Sequence, residues 1–496
     1  MNRPENLQRV RDRTEPWDFI VIGGGASGVG CAVDAASRGL DVLLLEQHDF
    51  GKGTSSRSTK LVHGGVRYLA QGNISLVREA LKERGILLRN APHVVHKQAF
   101  IVPCYSLWQK FFYGTGLKVY DLLSSKYSFG SSRILWKDET VEMLPTVKTE
   151  GLSGGILYYD GQFDDTRLLI DLVRTAYDHG GAVLNYAKVS SLKKDAEGKI
   201  NGVEFEDTET GETFSVSAKA VINATGAFCD TVRKMSDGKS KPIVTLSQGI
   251  HLVFDRKFLP SDNALMIPKT SDGRVLFCIP WLGATLVGTT DTPIDHTDLE
   301  PHALDTEIDF ILETAGQYLV EKPTRNDILS VFVGIRPLVM SGAAKNTASL
   351  SRGHTIEIDK GGLLTITGGK WTTYRHMAED AVDQAVRFAG LDARPSTTET
   401  LPIPSHAIVD PTGKILHPDL PYTAEDVVRA VRDEMAQTVE DVLARRTRAL
   451  FLNAKAAIEK APKVAAIMSH ELGKDRDWKD KQVADFLAIA EAYKLP

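Results

Sequence analysis

Residues 53–69 are the part of the chain richest in side chains that can do chemistry. They read GTSSRSTKLVHGGVRYL, so a run of hydroxyls is followed by His63, two glycines, Arg67 and Tyr68. This composition is poor material for a core and is typical of a loop that lines a site. The planar guanidinium of Arg67 suits a phosphate or a carboxylate. His63 could take up a proton, although a lone histidine is more often structural.

Residues 19–46 contain the main parts of a dinucleotide-binding βαβ unit. An apolar run is followed by Gly23-x-Gly25-x-x-Gly28, an Ala-rich helix, a second apolar run and Glu46. The glycines permit a tight turn, a close approach of the backbone to a pyrophosphate and close packing of the helix, whose N-terminus faces the phosphates. An acid after the second strand accepts hydrogen bonds from ribose hydroxyls and disfavours a 2′-phosphate. The unit therefore predicts FAD or NAD and not NADP.

Two later strand ends predict further approaches of the backbone to the same cofactor. Strands are predicted at 182–189 and 199–206, then at 220–223 before an Ala-Thr-Gly turn, and at 363–367 before GGKWTT and a helix over 374–388. The start of that last helix could stabilise negative charge on a reduced flavin. Either glycine turn alone fits an ordinary strand-to-helix turn equally well. No second GxGxxG follows a strand, so we expect the electron donor to be a small substrate.

Composition indicates a soluble enzyme of two or three domains. The chain has 496 residues, of which 42% are apolar and 25% charged, and its net charge of −5 gives no general attraction to nucleic acid. Four cysteines lie far apart, so neither a metal site nor a disulfide relay is indicated and a reducing compartment is expected. We predict no secretory leader and no segment long enough to span a bilayer.

Several motifs together resemble one family. The segments SSRSTKLVHGGVRYL, SQGIHLV, LVGTTDTP, VGIRPL and TGGKWTTYR, with the glycine motif and Glu46, are similar to those of FAD-dependent glycerol-3-phosphate dehydrogenases. The resemblance runs from about residue 17 to 390 and continues more loosely to the end. It implies an α/β FAD-binding fold of the D-amino-acid oxidase and glutathione-reductase type, with an antiparallel-sheet substrate domain and a helical C-terminal cap. It also implies that sn-glycerol 3-phosphate is oxidised to dihydroxyacetone phosphate by hydride transfer from C2 to flavin N5.

The resemblance implies roles for individual residues around the substrate. Arg336, in GIRPL, matches the arginine that binds the phosphate, and Lys370 matches the lysine near the flavin and the substrate hydroxyl. An ammonium there would stabilise the developing alkoxide. His251 is the leading candidate for the base, and the choice between it, His63 and Lys370 stays open. The full substrate set is Arg67, Tyr68, His251, Arg336 and Lys370.

A larger set is expected to hold the cofactor, and no metal is expected. These residues come from the glycine motif, the hydroxyl-rich segment and the later strand ends. They are Gly23, Gly25, Ala26, Ser27, Gly28, Glu46, Ser55, Ser56, Thr59, Lys60, Leu61, His63, Gly64, Gly65, Val189, Ala224, Thr225, Gly226, Gly369, Lys370 and Thr372.

These placements predict three domains, the first two of them discontinuous. The chain would leave the FAD-binding domain twice to build the sheet over the flavin, and its composition becomes helical after about residue 400. The predicted segments are 15–95, 155–242 and 345–392 for the FAD-binding domain, 96–154 and 243–344 for the substrate domain, and 400–496 for the helical domain.

Residues 105–133 indicate where the electrons could go. They combine many aromatic residues with lysines and an arginine, and Asp121 is their only acid. Such a segment fits the surface of an anionic membrane, although an amphipathic helix pair packed on the enzyme's own core fits equally well. The resemblance favours a cytoplasmic protein bound peripherally to the inner face of the cell membrane, with ubiquinone or menaquinone as acceptor. A homodimer is possible.

Three alternatives remain open from the sequence. One is a flavin amine or amino-acid oxidase of the same fold, against which the several cations argue. Another is an oxygen-using glycerol-phosphate oxidase, although a long insertion expected there is missing. The third is a flavoprotein that binds a partner or RNA, which predicts a broad basic face that the net charge does not support.

Overall fold

The protein is described by a computed structural model that covers residues 1–66, 69, 72–124, 127–271, 273–340, 353–405 and 413–495. Its α-helices are α1 (Arg3–Asp12), α2 (Ala26–Ser37), α3 (Ile74–Asn90), α4 (Leu107–Ser124), α5 (Lys137–Met143), α6 (Asp165–Asp178), α7 (Cys229–Ser236), α8 (Asp305–Tyr318), α9 (Tyr374–Ala389), α10 (Ala424–Glu434), α11 (Ala449–Leu452), α12 (Ala454–Leu472) and α13 (Arg476–Ala490).

The strands fall into two large sheets and a small hairpin. They are β1 (Trp17–Ile22), β2 (Val42–Leu45), β3 (Leu61–Val62), β4 (Val95–Cys104), β5 (Arg133–Leu135), β6 (Gly154–Phe163), β7 (Ala182–Leu184), β8 (Ala187–Lys194), β9 (Ile200–Asp207), β10 (Glu212–Asn223), β11 (Val244–Asp255), β12 (Ala264–Ile267), β13 (Leu276–Trp281), β14 (Ala284–Gly288), β15 (Thr292–Ile294), β16 (Ile328–Val339), β17 (His354–Ile358), β18 (Leu363–Gly368), β19 (Ile415–His417) and β20 (Leu420–Thr423).

The first sheet is a parallel sheet that brings distant glycine turns together. Its order is β17-β18-β10-β1-β2-β7, and only β17 runs antiparallel along this path. Ile22 is paired with Asn223, which in turn is paired with Thr365. The carboxyl ends of β1, β10 and β18 therefore lie side by side, and the turns that follow them share one edge, which is where α/β sheets bind ligands.

The single strand predicted at 182–189 is wrong, because the chain forms two strands there. Strand β7 ends at Leu184 and β8 begins at Ala187, and Tyr186 between them adopts a left-handed φ of 55°. The buried Asn185 also leaves the ladder, since its amide donates to Asp49 Oδ1 at 3.2 Å and to the carbonyl of Met435 at 2.9 Å. The strand predicted at 199–206 is confirmed as β9.

The second sheet is largely antiparallel and has the order β15-β11-β14-β13-β12-β4-β6-β3, with β16 along β11 and β5 along β6. Strands β11 and β16 pair over most of their length, from Val244 opposite Val339 to Phe254 opposite Ile328. Strands β11, β13 and β14 lie within residues 243–344, for which the sequence predicts part of an antiparallel sheet. In sequence, strands β3 to β6 lie between β2 and β7 of the first sheet, and β11 to β16 lie between its β10 and β17, so the chain passes between the two sheets repeatedly.

The C-terminal helices pack on both sheets and are tied to them by buried ion pairs. Arg445 and Arg446 each lie within 2.7 Å of a carboxylate oxygen of Asp49, and all three side chains are buried. The same helices share an apolar core with the second sheet, in which Phe451 contacts Phe332 with ring centroids 4.9 Å apart. In the part of the chain that the structure describes, no helix is both long enough and apolar enough to cross a membrane.

Candidate active site

A cavity of about 610 Å³ is lined by loops of the first sheet and by one face of the second. It contains most residues that the sequence assigns to a cofactor or a substrate. Those in its lining are Gly23, Gly25, Ala26, Ser27, Glu46, Ser55, Thr59, Leu61, His63, Gly65, Val189, Ala224, Thr225, Gly226, His251, Arg336, Gly369, Lys370 and Thr372.

The dinucleotide motif forms one end of the cavity. Gly23 has a φ of 111°, and a Cβ added there would lie 2.7 Å from the carbonyl oxygen of Ala224. Helix α2 begins at Ala26, whose N–H donates to Ser55 Oγ at 2.9 Å, and an added Cβ on Gly25 would lie 3.1 Å from that oxygen. The glycines therefore leave an open cradle at a helix N-terminus, which is a suitable site for a pyrophosphate.

Glu46 lies at the same end and is oriented by backbone groups. One carboxylate oxygen accepts from Gly24 N–H at 2.6 Å and the other from His48 N–H at 2.9 Å. Burial raises the pKa of Glu46, and these two hydrogen bonds oppose the rise. Each oxygen of an ionised carboxylate has a further lone pair, so both can still accept from a ribose hydroxyl.

The hydroxyl-rich loop and the GGKWTT turn contact each other directly. His63 N–H donates to Thr372 Oγ1 at 3.2 Å, and the indole N–H of Trp371 donates to the carbonyl of Ser55 at 2.8 Å. Lys370 lies in the same turn, just before a short 3₁₀ segment and helix α9. The turn and the loop are more than 300 residues apart in sequence, and their contact places Lys370 and His63 in one lining.

Arg336 lies in another part of the lining, on β16. Its guanidinium donates to Thr289 Oγ1 at 3.1 Å and lies 3.6 Å from Asp291 Oδ1. Space for it exists because Gly249 on β11 has no side chain, and a Cβ there would lie 2.3 Å from a guanidinium nitrogen. Asp291 also accepts a hydrogen bond from Ser247 Oγ. The arginine is therefore held in a fixed orientation at the cavity, and its guanidinium suits an anion such as a phosphate.

His251 lies on β11, the strand paired with β16, and is buried. Its Nε2 is 2.9 Å from Thr59 Oγ1, and its ring stacks on Phe332 with centroids 4.9 Å apart. Among the described residues, no hydrogen-bond partner reaches Nδ1. Burial, with the nearby cations of Lys60 and Arg336, lowers the pKa of His251 well below its usual range. The imidazole is therefore neutral at pH 7 and can accept a proton.

Four predicted cofactor residues do not line the cavity. Gly28 packs its helix on β1, because an added Cβ would lie 1.9 Å from the carbonyl oxygen of Gly23. Ser56 Oγ donates to the carbonyl of Gly53, and Gly64 N–H donates to the Tyr120 hydroxyl at 2.8 Å. Lys60 points away from the cavity into the protein and is buried. Arg67 and Tyr68 lie outside the described residues.

The side chain of Lys60 is buried behind the cavity. Its Nζ donates to Asp165 at 2.6 Å and to the carbonyl of Ser56 at 2.8 Å. Arg448, from the C-terminal helices, donates to the same carbonyl at 2.6 Å and lies 3.6 Å from Asp165. Burial lowers the pKa of Lys60 to about 7, while Asp165 opposes this change. The contacts between Lys60, Asp165 and Arg448 fix the loop that carries Thr59.

The sequence did not single out the residues that organise the substrate end. Glu307, on α8, accepts from Thr290 Oγ1 at 2.8 Å, from Thr292 Oγ1 at 2.6 Å and from Gln248 at 2.7 Å. Thr289, Thr290 and Asp291 belong to LVGTTDTP, so the motif itself was the available signal. Glu307 lies in an ordinary amphipathic helix, and nothing in its local sequence distinguishes it.

Comparison with protein families assigns most of the chain. Residues 18–375 match the family profile described as FAD dependent oxidoreductase, and residues 392–482 match the C-terminal domain of alpha-glycerophosphate oxidase. The fold and the site therefore define an FAD-dependent oxidoreductase, and FAD is its cofactor.

Individual relatives narrow the family. A probable mitochondrial glycerol-3-phosphate dehydrogenase of Caenorhabditis elegans is 41% identical over 514 residues, covering 92% of this chain and 71% of that protein. The human mitochondrial glycerol-3-phosphate dehydrogenase is 39% identical over 542 residues, covering 97% and 74%. The glycerol-3-phosphate dehydrogenase of Bacillus halodurans, solved with FAD, has a TM-score of 0.78 at 29% identity over 99% and 97% of the two chains. This chain belongs to the FAD-dependent glycerol-3-phosphate dehydrogenase family.

Proposed function

We propose that the protein oxidises sn-glycerol 3-phosphate to dihydroxyacetone phosphate and passes the two electrons through FAD to a membrane quinone, ubiquinone or menaquinone. The observation that carries this proposal is one cavity lining that contains the dinucleotide turns together with Arg336, His251 and Lys370. An anion site, a neutral base and a cation beside a dinucleotide cradle are what oxidation of a phosphorylated secondary alcohol requires.

FAD would be held by the first sheet's loops. The N-terminus of α2 would bind the pyrophosphate, Glu46 would accept from the ribose hydroxyls, and the turn with Gly369 and Thr372 would contact the ring. When bound, FAD supplies the acceptor for the hydride that leaves C2 of the substrate. The chain's own residues supply binding, orientation and proton transfer.

Arg336 would bind the substrate phosphate, because its guanidinium is already oriented by Thr289 and Asp291. Binding at that end would bring C2 beside His251. His251 would take the proton of the C2 hydroxyl, with its ring oriented by Thr59 Oγ1, which lies 2.9 Å from Nε2. Lys370 would stabilise the negative charge that develops on the oxygen as hydride leaves. His63 remains the alternative base.

The acceptor half of the proposal rests on an exposed apolar surface, the α4 patch. Helix α4 and the adjoining β5 region expose Leu107, Trp108, Phe111, Phe112, Leu122, Ile134 and Trp136, and Leu122 is 79% exposed. Lys118 and Arg133 lie beside them and are more than half exposed. The opposite face of α4 packs on the protein through Leu117 and Tyr120. The inner face is packed as in the amphipathic-helix interpretation, and the exposed outer face would suit peripheral contact with anionic lipid.

The test is anaerobic addition of glycerol 3-phosphate to the purified flavoprotein, followed by a short-chain quinone. We expect the flavin absorbance to bleach with the substrate and to recover with the quinone. Bleaching by an amino acid instead would favour the amino-acid oxidase alternative. Rapid recovery with oxygen and slow recovery with quinone would favour an oxygen-using glycerol-phosphate oxidase. No bleaching by either substrate would overturn the proposed activity.

A further inference from the structure

The face of the second sheet that lines the cavity changes from polar to apolar along one row of residues. Gly288 is paired both with His251 and with Phe277, and Phe277 is paired with Met266. Paired residues share a face, so His251, Phe277 and Met266 lie in order across four strands. Gly288 has no side chain between the two rings, and an added Cβ would lie 2.3 Å from the His251 imidazole.

The row continues into an end of the cavity whose back wall is aromatic. Phe100 stacks on Tyr158 with centroids 5.2 Å apart and meets Phe277 edge-on at 5.8 Å. Phe100 and Tyr158 are buried and form the back of this end. Phe277 and Val275 are half-buried and face the cavity. Glycerol 3-phosphate has only three carbons between its hydroxyls and its phosphate, which is too little apolar surface to cover such walls, so a larger and more apolar ligand fits this end.

We propose that this apolar end binds the ring of the quinone acceptor, beside the substrate site and on the side of the cavity next to α4. The inference rests on the proposed function. A quinone ring is planar and apolar on its faces, which suits the edge of Phe277 and the aliphatic wall of Val275. Its two carbonyl oxygens need donors, and His63 lies in the cavity lining near this wall. The His63 ring lies 6.5 Å from that of Phe277 at an angle of 64°.

The α4 patch lies directly behind this end of the cavity. Tyr120 on α4 meets Tyr158 edge-on with centroids 6.5 Å apart and donates to Asp160 at 2.7 Å. Val66 lines the cavity and also packs against the apolar cluster that contains Tyr120. An isoprenoid tail that leaves the cavity over Val66 would therefore reach the exposed apolar side of α4, where lipid is proposed to lie.

The electron and proton balance closes without a further reactant. Oxidation of C2 releases a hydride and the proton of the C2 hydroxyl, and FAD is returned to its oxidised form when the quinone is reduced. The quinone gains two electrons and two protons and leaves as the quinol. Dihydroxyacetone phosphate and the quinol are the only products.

The test compares three reactions of the holoenzyme: flavin reduction by glycerol 3-phosphate, reoxidation by a short-chain quinone and reoxidation by ferricyanide. Val275→Trp fills the apolar end from a half-buried position, and Phe277→Ala removes its ring wall. For both, we expect the KM for a short-chain quinone to rise about tenfold or more. We expect anaerobic flavin reduction by glycerol 3-phosphate, and reoxidation by ferricyanide, to stay within about twofold of the wild type. Cys278→Ala is the matched control, because Cys278 is the next residue on β13 and packs in the core on the opposite face.

Each contrary result has a distinct meaning. If both variants slow reduction by glycerol 3-phosphate as much as reoxidation by quinone, the apolar end belongs to the flavin or the substrate, and the inference is wrong. If neither variant changes the quinone KM, the quinone binds elsewhere, and the inference is again wrong. A photoreactive quinone should label peptides containing β12 or β13 in the wild type, and labelling elsewhere would also overturn it. Failure of the wild type to bleach with glycerol 3-phosphate would instead refute the proposed function.

Discussion

The Nε2 of His251 lies 2.9 Å from the Oγ1 of Thr59, and this hydrogen bond joins the two halves of the site. His251 belongs to the second sheet, whereas Thr59 belongs to the loop that follows the dinucleotide unit. The orientation of the candidate base is therefore set by a residue that the sequence assigns to the cofactor.

Thr59→Val should disorient His251 without changing the volume of the site. We expect the rate of flavin reduction at saturating substrate to fall roughly tenfold, the usual effect of losing one hydrogen bond of about 1.4 kcal/mol. Rapid mixing under anaerobic conditions measures this rate. Thr54→Val is the control, since Thr54 lines the same cavity but donates to the carbonyl of Ile335. An equal loss in both variants would mean that the loop matters and the hydrogen bond does not.

Arg336→Ala and Lys370→Ala should affect different steps. Removal of the guanidinium should weaken the binding of glycerol 3-phosphate by about 2–3 kcal/mol, because a charge-assisted contact to the phosphate is lost. Removal of the ammonium should mainly slow hydride transfer, because its interaction strengthens as the alkoxide develops. The dependence of the reduction rate on substrate concentration separates the two. Glycerol, which has no phosphate, should react equally slowly with wild type and Arg336→Ala.

The lowered pKa of His251 predicts a pH-dependent stability. Below pH 6.5 the unfolded imidazole binds a proton that the buried one does not, so the free energy of unfolding decreases as the pH falls. Between pH 6.5 and the folded-state pKa, we expect the wild type to lose up to about 1.4 kcal/mol per pH unit more than His251→Gln. Urea unfolding of both holoproteins across this range gives the difference. Parallel curves would show that the folded imidazole titrates normally.

Arg448→Met should loosen the loop behind the site. The substitution leaves Asp165 with one fewer buried cation and removes the donor to the carbonyl of Ser56. Removal of one partner of a buried ion pair lowers the free energy of unfolding by about 3–5 kcal/mol. We therefore expect a lower Tm and faster FAD release. Arg476→Met is the control, because Arg476 is 85% exposed and its pair with Asp480 contributes little. Unchanged FAD release would mean that the C-terminal helices do not support the loop.

Trp108→Ser combined with Phe111→Ser should abolish binding to vesicles that contain anionic lipid. Both side chains are more than two-thirds exposed. Their rings would become buried only in contact with another surface, such as a lipid bilayer. Sedimentation with vesicles measures binding, and anaerobic flavin reduction should be unchanged. Val320→Ser is the control, since Val320 is 63% exposed on a different part of the surface. If the double variant instead converts a dimer to a monomer, the α4 patch is an interface between two copies.

Local sequence was enough to predict the dinucleotide unit and several of the strands. Gly28 packs against the carbonyl of Gly23 within one βαβ unit, and apolar runs such as Phe19–Ile22 bury themselves in any sheet, so their positions follow from nearby residues alone. The break at Tyr186 could not be predicted this way. It depends on Asn185, whose partners Asp49 and Met435 are far away in sequence.

The sequence by itself determined the family, the cofactor and the residue types that the chemistry needs, because these are carried by short motifs. Only the tertiary structure decided which members of those motifs face the cavity. Lys60 lies in the most distinctive motif, yet its side chain turns inward to Asp165, and Glu307, which no motif marks, orders the substrate end. The reason is physical: a side chain points where its charge is paired and its apolar stem is buried, and those partners come from distant parts of the chain.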